Sequence, residues 1–281
     1  MQTLSRAASV VAITLLSLGV ATNVALAQTA KPAAKGEAAK QEFTPQVGQE
    51  GKDVIWVPTP QSLVDRMLTM AQVKSTDYVI DLGSGDGRTV ITAAKKFGAN
   101  ALGIEYNPDM VELAKRNADK EGVSGKAHFM KADIFATDFS KATVITMYLL
   151  PSLNVKLRPT LLNMKPGTRV VSHAFTMDDW EPDQVDSSEG RTAYLWIVPA
   201  KVAGTWKLDG AAKGEITLTQ QYQKVGGGAK VDGKVANLLN PRLRGDAITF
   251  SLDGREYSGR VHGDKIEGSV AGGGKFSASK S

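Results

Sequence analysis

The chain has 281 residues and a formal net charge of +5, from 34 lysines and arginines against 29 aspartates and glutamates. It has no cysteine and only 3 histidines, the widely separated His128, His173 and His262, which excludes a disulfide framework and leaves no metal-ligand constellation. The bases are dispersed and are not interleaved with aromatics, so the clustered footprint of a nucleic-acid binder is missing and no nucleic-acid partner is expected.

At the N-terminus, Arg6 precedes an apolar run from Ala7 to Ala27, and Ala25-Leu26-Ala27 has the small-x-small form of a cleavage site. Residues 1–27 read as a secretory signal peptide, whose removal takes away Arg6 and no acid and leaves a net charge of +4. The competing reading is an uncleaved membrane anchor, because the run is nearly long enough to span a bilayer. Either way the folded part is expected to be periplasmic or secreted, a compartment in which a cysteine-free chain is safe from oxidation. Any membrane contact would come through that anchor. Residues 28–50 are rich in Ala, Lys, Gln, Glu and Gly, lack periodic apolar positions, and read as a flexible linker. The remainder divides into an α/β domain over 51–200 and a smaller β domain over 201–281, expected as a monomer.

Trp56-Val-Pro-Thr-Pro60 leads into an amphipathic stretch carrying Leu63, Val64, Met67, Leu68 and Met70. Thr59 is placed to cap that helix, with Pro60 at its first position. Residues 78–87, Tyr-Val-Ile-Asp-Leu-Gly-Ser-Gly-Asp-Gly, are the most informative stretch. The apolar run Tyr78 to Ile80 predicts a buried strand. Asp81 follows it, then Gly83, Gly85 and Gly87 at every second position, then a helical pattern from Arg88 to Phe97. Strand, glycine turn and helix bring bare backbone against a ligand. A dinucleotide fingerprint needs G-x-G-x-x-G, whereas this turn is G-x-G-x-G.

Ala101 to Ile104 predicts a second strand ended by Glu105, 22 residues after Gly83. An acid at that point can accept hydrogen bonds from two ribose hydroxyls. Asn107-Pro108 starts the next helix, with Pro108 in its first turn. A third strand, Ala127 to Lys131, leads to Asp133-Ile134. A fourth runs from Ala142 to Tyr148, ahead of Leu149-Leu150-Pro151. A fifth, Thr168 to Ser172, ends at His173, which reads first as a strand-end histidine bonded to backbone and second as a base. Strands around Gln184 to Asp186 and over Thr192 to Val198 complete the sheet. The chain has no Gly-x-Ser-x-Gly elbow and no P-loop, so hydrolase and phosphotransferase readings lack support.

The turn Asp81-Leu-Gly-Ser-Gly85, then Glu105, then Asp133-Ile134, each after a predicted strand, together resemble the motifs of class I S-adenosylmethionine (SAM)-dependent methyltransferases. The bland alternative is an α/β domain with structural glycines and solvated acids. The resemblance implies a seven-stranded Rossmann-like α/β sheet with SAM as cofactor. In such enzymes the turn of Gly83, Ser84 and Gly85 passes under the methionine part of SAM, and Asp81 closes the strand before it. Glu105 takes the ribose, with Asn107 just beyond, and Asp133 and Ile134 flank the adenine. The loop of Thr59 covers the SAM carboxylate. The block from Tyr148 to Trp180, with Lys156-Leu-Arg-Pro159 and Lys165-Pro-Gly-Thr-Arg-Val-Val-Ser-His173, is similar to a group of protein-lysine methyltransferases. That group includes mitochondrial enzymes acting on the c-subunit of ATP synthase and on the adenine nucleotide translocase. Many amino-methylating relatives carry an Asn/Asp-Pro-Pro-Tyr-type motif after the fourth strand, which this chain lacks. Tyr148 is the candidate for the desolvated mouth that receives a protein or small-molecule methyl acceptor.

From Val202 the composition changes, and 15 of the 28 glycines fall in 201–281. Apolar and polar residues alternate over 215–219, 246–252 and 257–261, with turns at Asp253-Gly254, His262-Gly263 and Gly272-Gly-Gly274. These read as roughly seven or eight short strands in a small barrel or strongly curved sheet with its interior filled by side chains. The segment is either a docking module or a stabilising appendage. Three function classes follow: an exported methyltransferase, a SAM or S-adenosylhomocysteine (SAH) binder without transfer, and an envelope adaptor working through the β domain.

Overall fold

The computed structural model describes residues 42–281. The expected signal peptide and residues 28–41 of the linker lie outside the described residues. Among the described residues no helix is long and apolar enough to cross a membrane.

Helix α1 (Gln61–Met70) precedes β1 (Tyr78–Leu82), α2 (Arg88–Phe97), β2 (Asn100–Glu105), α3 (Pro108–Lys120), β3 (Ala127–Lys131), β4 (Val144–Met147), α4 (Pro151–Leu162), β5 (Arg169–His173), β6 (Gln184–Ser188) and β7 (Arg191–Ile197). The seven strands form one sheet in the order β3-β2-β1-β4-β5-β7-β6. The first five pair in parallel and β7 runs antiparallel to β5. Alternation along the strands feeds two cores. Val79, Ala101, Val144 and Val171 pack with α1, α2 and α3, while Ile80, Ile145, Met147 and Val170 pack with Leu157 and Leu161 of α4 on the other face. The order reverses between β1 and β4, so the crevice beyond their carboxyl ends is where a ligand sits in such a sheet.

Helix α4 is an element that the sequence reading did not place, because Pro159 stands inside it. Proline normally argues against a helix interior. Here Pro151 starts the helix and Leu157 and Leu161 anchor it in the core.

After β7 the chain enters a second sheet: β8 (Gly204–Gly210), β9 (Gly214–Gln221), β10 (Lys224–Val231), β11 (Lys234–Asn237), β12 (Leu239–Arg244), β13 (Ala247–Leu252), β14 (Arg255–His262), β15 (Lys265–Val270) and β16 (Lys275–Lys280). Its order, β11-β10-β9-β8-β16-β15-β14-β13-β12, is a nearly closed antiparallel meander. It has nine strands, more than the spacing of turns suggested. The extra ones are hidden by glycine and proline: β10 contains Gly226 to Gly228, and β12 contains Pro241 beside a register shift. Gly227 is required, since a Cβ there would lie 2.0 Å from the carbonyl oxygen of Thr217. The interior is filled by Trp206, Phe250, Tyr257, Phe276 and aliphatic neighbours, with the Phe250 and Tyr257 rings stacked at 5.0 Å.

The two sheets touch. Ala200 N–H donates to the Gly245 carbonyl at 2.8 Å, and the Trp180 indole N–H donates to Gln223 Oε1 at 3.0 Å.

Candidate active site

The ten residues that the sequence singled out, Thr59, Asp81, Gly83, Ser84, Gly85, Glu105, Asn107, Asp133, Ile134 and Tyr148, all line one cavity of about 290 Å³. It lies beyond the carboxyl ends of β1, β2 and β4. The turn after β1 is built on left-handed glycines, Gly83 at φ 78°, Gly85 at 53° and Gly87 at 84°. Such values are costly for residues with a Cβ. The three glycines serve different neighbours. A Cβ on Gly87 would stand 2.7 Å from Phe129 and 2.8 Å from Ala114, so this glycine lets α2 pack close to β3 and α3. A Cβ on Gly85 would stand 2.7 Å from the Trp56 indole nitrogen, and one on Gly83 would stand 3.2 Å from Leu149.

Glu105 stitches the turn to the next element. Gly85 N–H donates to its Oε2 at 3.0 Å and Asn107 N–H to its Oε1 at 2.9 Å, which leaves each carboxylate oxygen a further lone pair. Asn107 in turn caps α3, accepting from Asp109 N–H at 2.9 Å. Asp133 accepts from the Lys52 ammonium at 2.5 Å and from Phe135 N–H at 2.9 Å, and these partners, Lys52 foremost, hold its carboxyl below the usual range.

Asp81 is the most perturbed acid. It is buried, and the Thr146 hydroxyl donates to it at 2.6 Å. Burial, reinforced by the negative charges of Glu105 and Asp86 and opposed by the Thr146 hydrogen bond, pushes it up to about 7. Asp86 itself is held by Arg88, whose Nε and Nη2 donate to it and whose Nη1 donates to the Thr59 carbonyl at 2.9 Å.

Thr59 does not cap α1. Pro60 occupies the N-cap position, without a side-chain hydrogen bond. The Thr59 hydroxyl instead pairs with His173 Nδ1 at 3.1 Å, inside the protein. His173 is therefore bonded to a side chain and not, as its strand-end position suggested, to backbone. It is 2% exposed, and burial, with the Arg191 charge adding to it, pushes it down to about 4. It stands behind Tyr148, ring centroids 3.8 Å apart, and Tyr148 faces Phe175 at 6.1 Å. The neutral imidazole thus fixes the back of an aromatic wall and the Thr59 loop together.

Several lining residues were not anticipated. The segment 46–56 folds into a turn over the cavity, with Glu50 bridged to Ile55, and places Gln49, Lys52 and Trp56 on its wall. Its composition gave no apolar period to mark it. Arg88, Met110, Met147 and Phe175 also line the cavity. Arg88 follows the glycine turn directly and could have been found from that position.

The residues present suit SAM. Among the charged lining residues, Glu50, Asp53, Asp81, Asp86, Glu105 and Asp133 oppose only Lys52 and Arg88, an acid-rich wall for a ligand bearing a sulfonium and an ammonium. Bare backbone at Gly83 and Gly85 meets the ligand side, and Ser84 keeps a buried hydroxyl without a partner. A family model described as the ANTKMT methyltransferase domain matches residues 81–184. A protein-lysine N-methyltransferase of Saccharolobus islandicus is 46% identical over 151 residues, which is 52% of this chain and 94% of that protein. The chain belongs to the class I SAM-dependent methyltransferases. The human lysine N-methyltransferase of the ATP synthase c-subunit is 34% identical over 131 residues, 46% of this chain and 55% of that protein, so the match spans about half the human relative. A crystal structure described as an RNA methyltransferase from Salinibacter ruber in complex with SAH is 52% identical, with a TM-score of 0.51, covering 52% of this chain and 96% of that one. The methyltransferase uses SAM as its methyl donor, and Gly83, Gly85, Glu105 and Asp133 line the cavity.

Proposed function

We propose that this methyltransferase acts on lysine side chains of protein acceptors outside the cytoplasm. The observation that carries the reading is the charge of the cavity wall, six acids against two bases, joined to an aromatic mouth of Tyr148 and Phe175. An acid-rich wall attracts an amine-bearing chain and repels the phosphates of RNA. The names of the Saccharolobus and human relatives support the same acceptor.

SAM, when bound, supplies a methyl group already activated on sulfur. The protein has to bind, align and desolvate. Glu105 and the glycine turn hold the donor. Tyr148 and Phe175 exclude water at the mouth, which favours the neutral lysine amine over the ammonium. His173, neutral at working pH, braces Tyr148 and takes no proton. The apolar N-terminal run is the basis for export, and the acceptor is accordingly an envelope or secreted protein met by a monomeric enzyme.

The test is transfer of tritium from methyl-labelled SAM to envelope extracts, followed by mass mapping of the modified residue. Label on lysine supports the reading. Label on RNA, a hydroxyl or a carboxylate rejects the lysine acceptor. SAH binding without transfer to any fraction points to a non-catalytic binder.

A further inference from the structure

The β sheet over 204–280 meets residues 179–181, in the loop that follows Phe175, through the turn between β9 and β10. Tyr222 and Gln223 join β9 to β10, and Tyr222 has φ 55°. A bulky residue is unfavourable in that region, and glycine, asparagine or aspartate normally takes it in a two-residue hairpin. Other turns of the same sheet follow that rule, with Asp232-Gly233 and Asp253-Gly254. A strained tyrosine where the sheet's other two-residue turns use Asp or Gly points to a task beyond turning the chain.

Its neighbours show what that task is. The Tyr222 hydroxyl donates to the Asp179 carboxylate, 3.0 Å from Oδ2, and its ring stacks on Trp180 at 6.0 Å. Gln223 Oε1 accepts from the Trp180 indole, and Gln223 Nε2 donates to the Glu181 carbonyl at 2.6 Å. From the other side, α4 grips the same loop: Asn154 Nδ2 donates to the carbonyls of Phe175 and Thr176, and Arg158 donates to the Met177 carbonyl at 2.8 Å. The loop held between them carries Phe175, one of the two aromatic walls of the mouth.

We propose that the Tyr222–Gln223 turn is a positioning device for the acceptor-side loop, so that the β domain sets the geometry of the mouth at Phe175. Tyr222 is a positioning residue that acts through Asp179 and Trp180. This rests on the reading of the Tyr148–Phe175 mouth as the acceptor entrance.

The experiment uses the full chain and its Tyr222→Gly and Tyr222→Phe variants, with SAH affinity, amide hydrogen exchange over 174–181, and methyl transfer to poly-L-lysine as readouts. Tyr222→Gly suits the turn's backbone and should leave folding intact. It should keep SAH affinity within about twofold, because the donor side is untouched. Exchange over 174–181 should rise at least tenfold, and transfer should fall at least tenfold through a higher KM for poly-L-lysine. Tyr222→Phe keeps the stack on Trp180 and should restore most of the transfer. Unchanged exchange over 174–181 in Tyr222→Gly, or loosened exchange with unchanged transfer, overturns the proposal. A parent protein that transfers nothing to poly-L-lysine while its variant shows the exchange effect counts against the lysine reading and leaves the brace supported.

Discussion

Asp81 and His173 should make opposite contributions to stability between pH 7 and pH 4, and their cancellation can be taken apart by mutation. In the folded protein Asp81 titrates near 7, against an ordinary 3.8. As pH falls from 7 toward 3.8 the native state takes up a proton that the unfolded state does not, so stability rises by about 1.36 kcal/mol per pH unit. Over that range the gain approaches ~4 kcal/mol. His173 runs the other way. Its native value is about 4 against an ordinary 6.5, so its contribution is complete above 6.5 and is lost as pH falls from 6.5 to 4, by roughly 3 kcal/mol. Both side chains are buried, at 6% and 2% exposure, so solvent screening removes little of either effect. From pH 6.5 to 4 the two slopes nearly offset, and the ligand-free protein should show a flat profile. His173→Phe should unmask a rise toward low pH. Asp81→Asn should be the more stable protein at pH 8 relative to parent, with that advantage shrinking by about 4 kcal/mol as pH approaches 4. The assay is urea unfolding at fixed temperature, followed by the emission of the buried Trp180, Trp196 and Trp206. An Asp81→Asn profile parallel to that of the parent would show that Asp81 stays ionised down to its ordinary range despite its burial.

Glu105→Ala should weaken SAH binding by about 1.5–3 kcal/mol, measured calorimetrically, because a charged acceptor for hydroxyl groups and the tie to Gly85 are both lost. Gly85→Val should abolish SAH binding by collision with Trp56 and by left-handed strain, and if Trp56→Gly restores binding to that variant, the collision outweighs the strain. Tyr148→Ala should reduce transfer more than His173→Ala, which should cost less than about tenfold because a side chain behind the wall aligns but does not react. The transfer rate should rise with pH and level off once the acceptor amine is neutral, with no second limb from His173 near 6.5.

Much of the cavity's lining was legible because it sits at strand ends. Asp81, Glu105 and Asp133 each follow a short apolar run, and a parallel sheet brings such ends to one crevice whatever the details of the loops. The glycine turn was legible as a turn, but the division of labour among its glycines was not. Gly87 serves helix packing, and only the fold brings Phe129 and Ala114 beside it. Thr59 and His173 are 114 residues apart in sequence, and a local rule, helix capping, offered Thr59 a sufficient role. The tertiary pairing won because a buried imidazole needs a partner more than an α1 terminus begun by proline needs a cap. Helix α4 was masked by Pro159, and β10 by its glycines, both cases in which packing overrides a breaker. The turn over 46–56 carries its information in contacts distant in sequence, Lys52 with Asp133 and Trp56 over Gly85, which no periodicity records.

The central claim is that this cavity is a SAM site, and calorimetric titration of SAH into the purified chain tests it most directly. The account predicts a single site in the micromolar range, about −8 kcal/mol, weakened by Glu105→Ala and blind to NAD. Binding of NAD with no binding of SAH would contradict it.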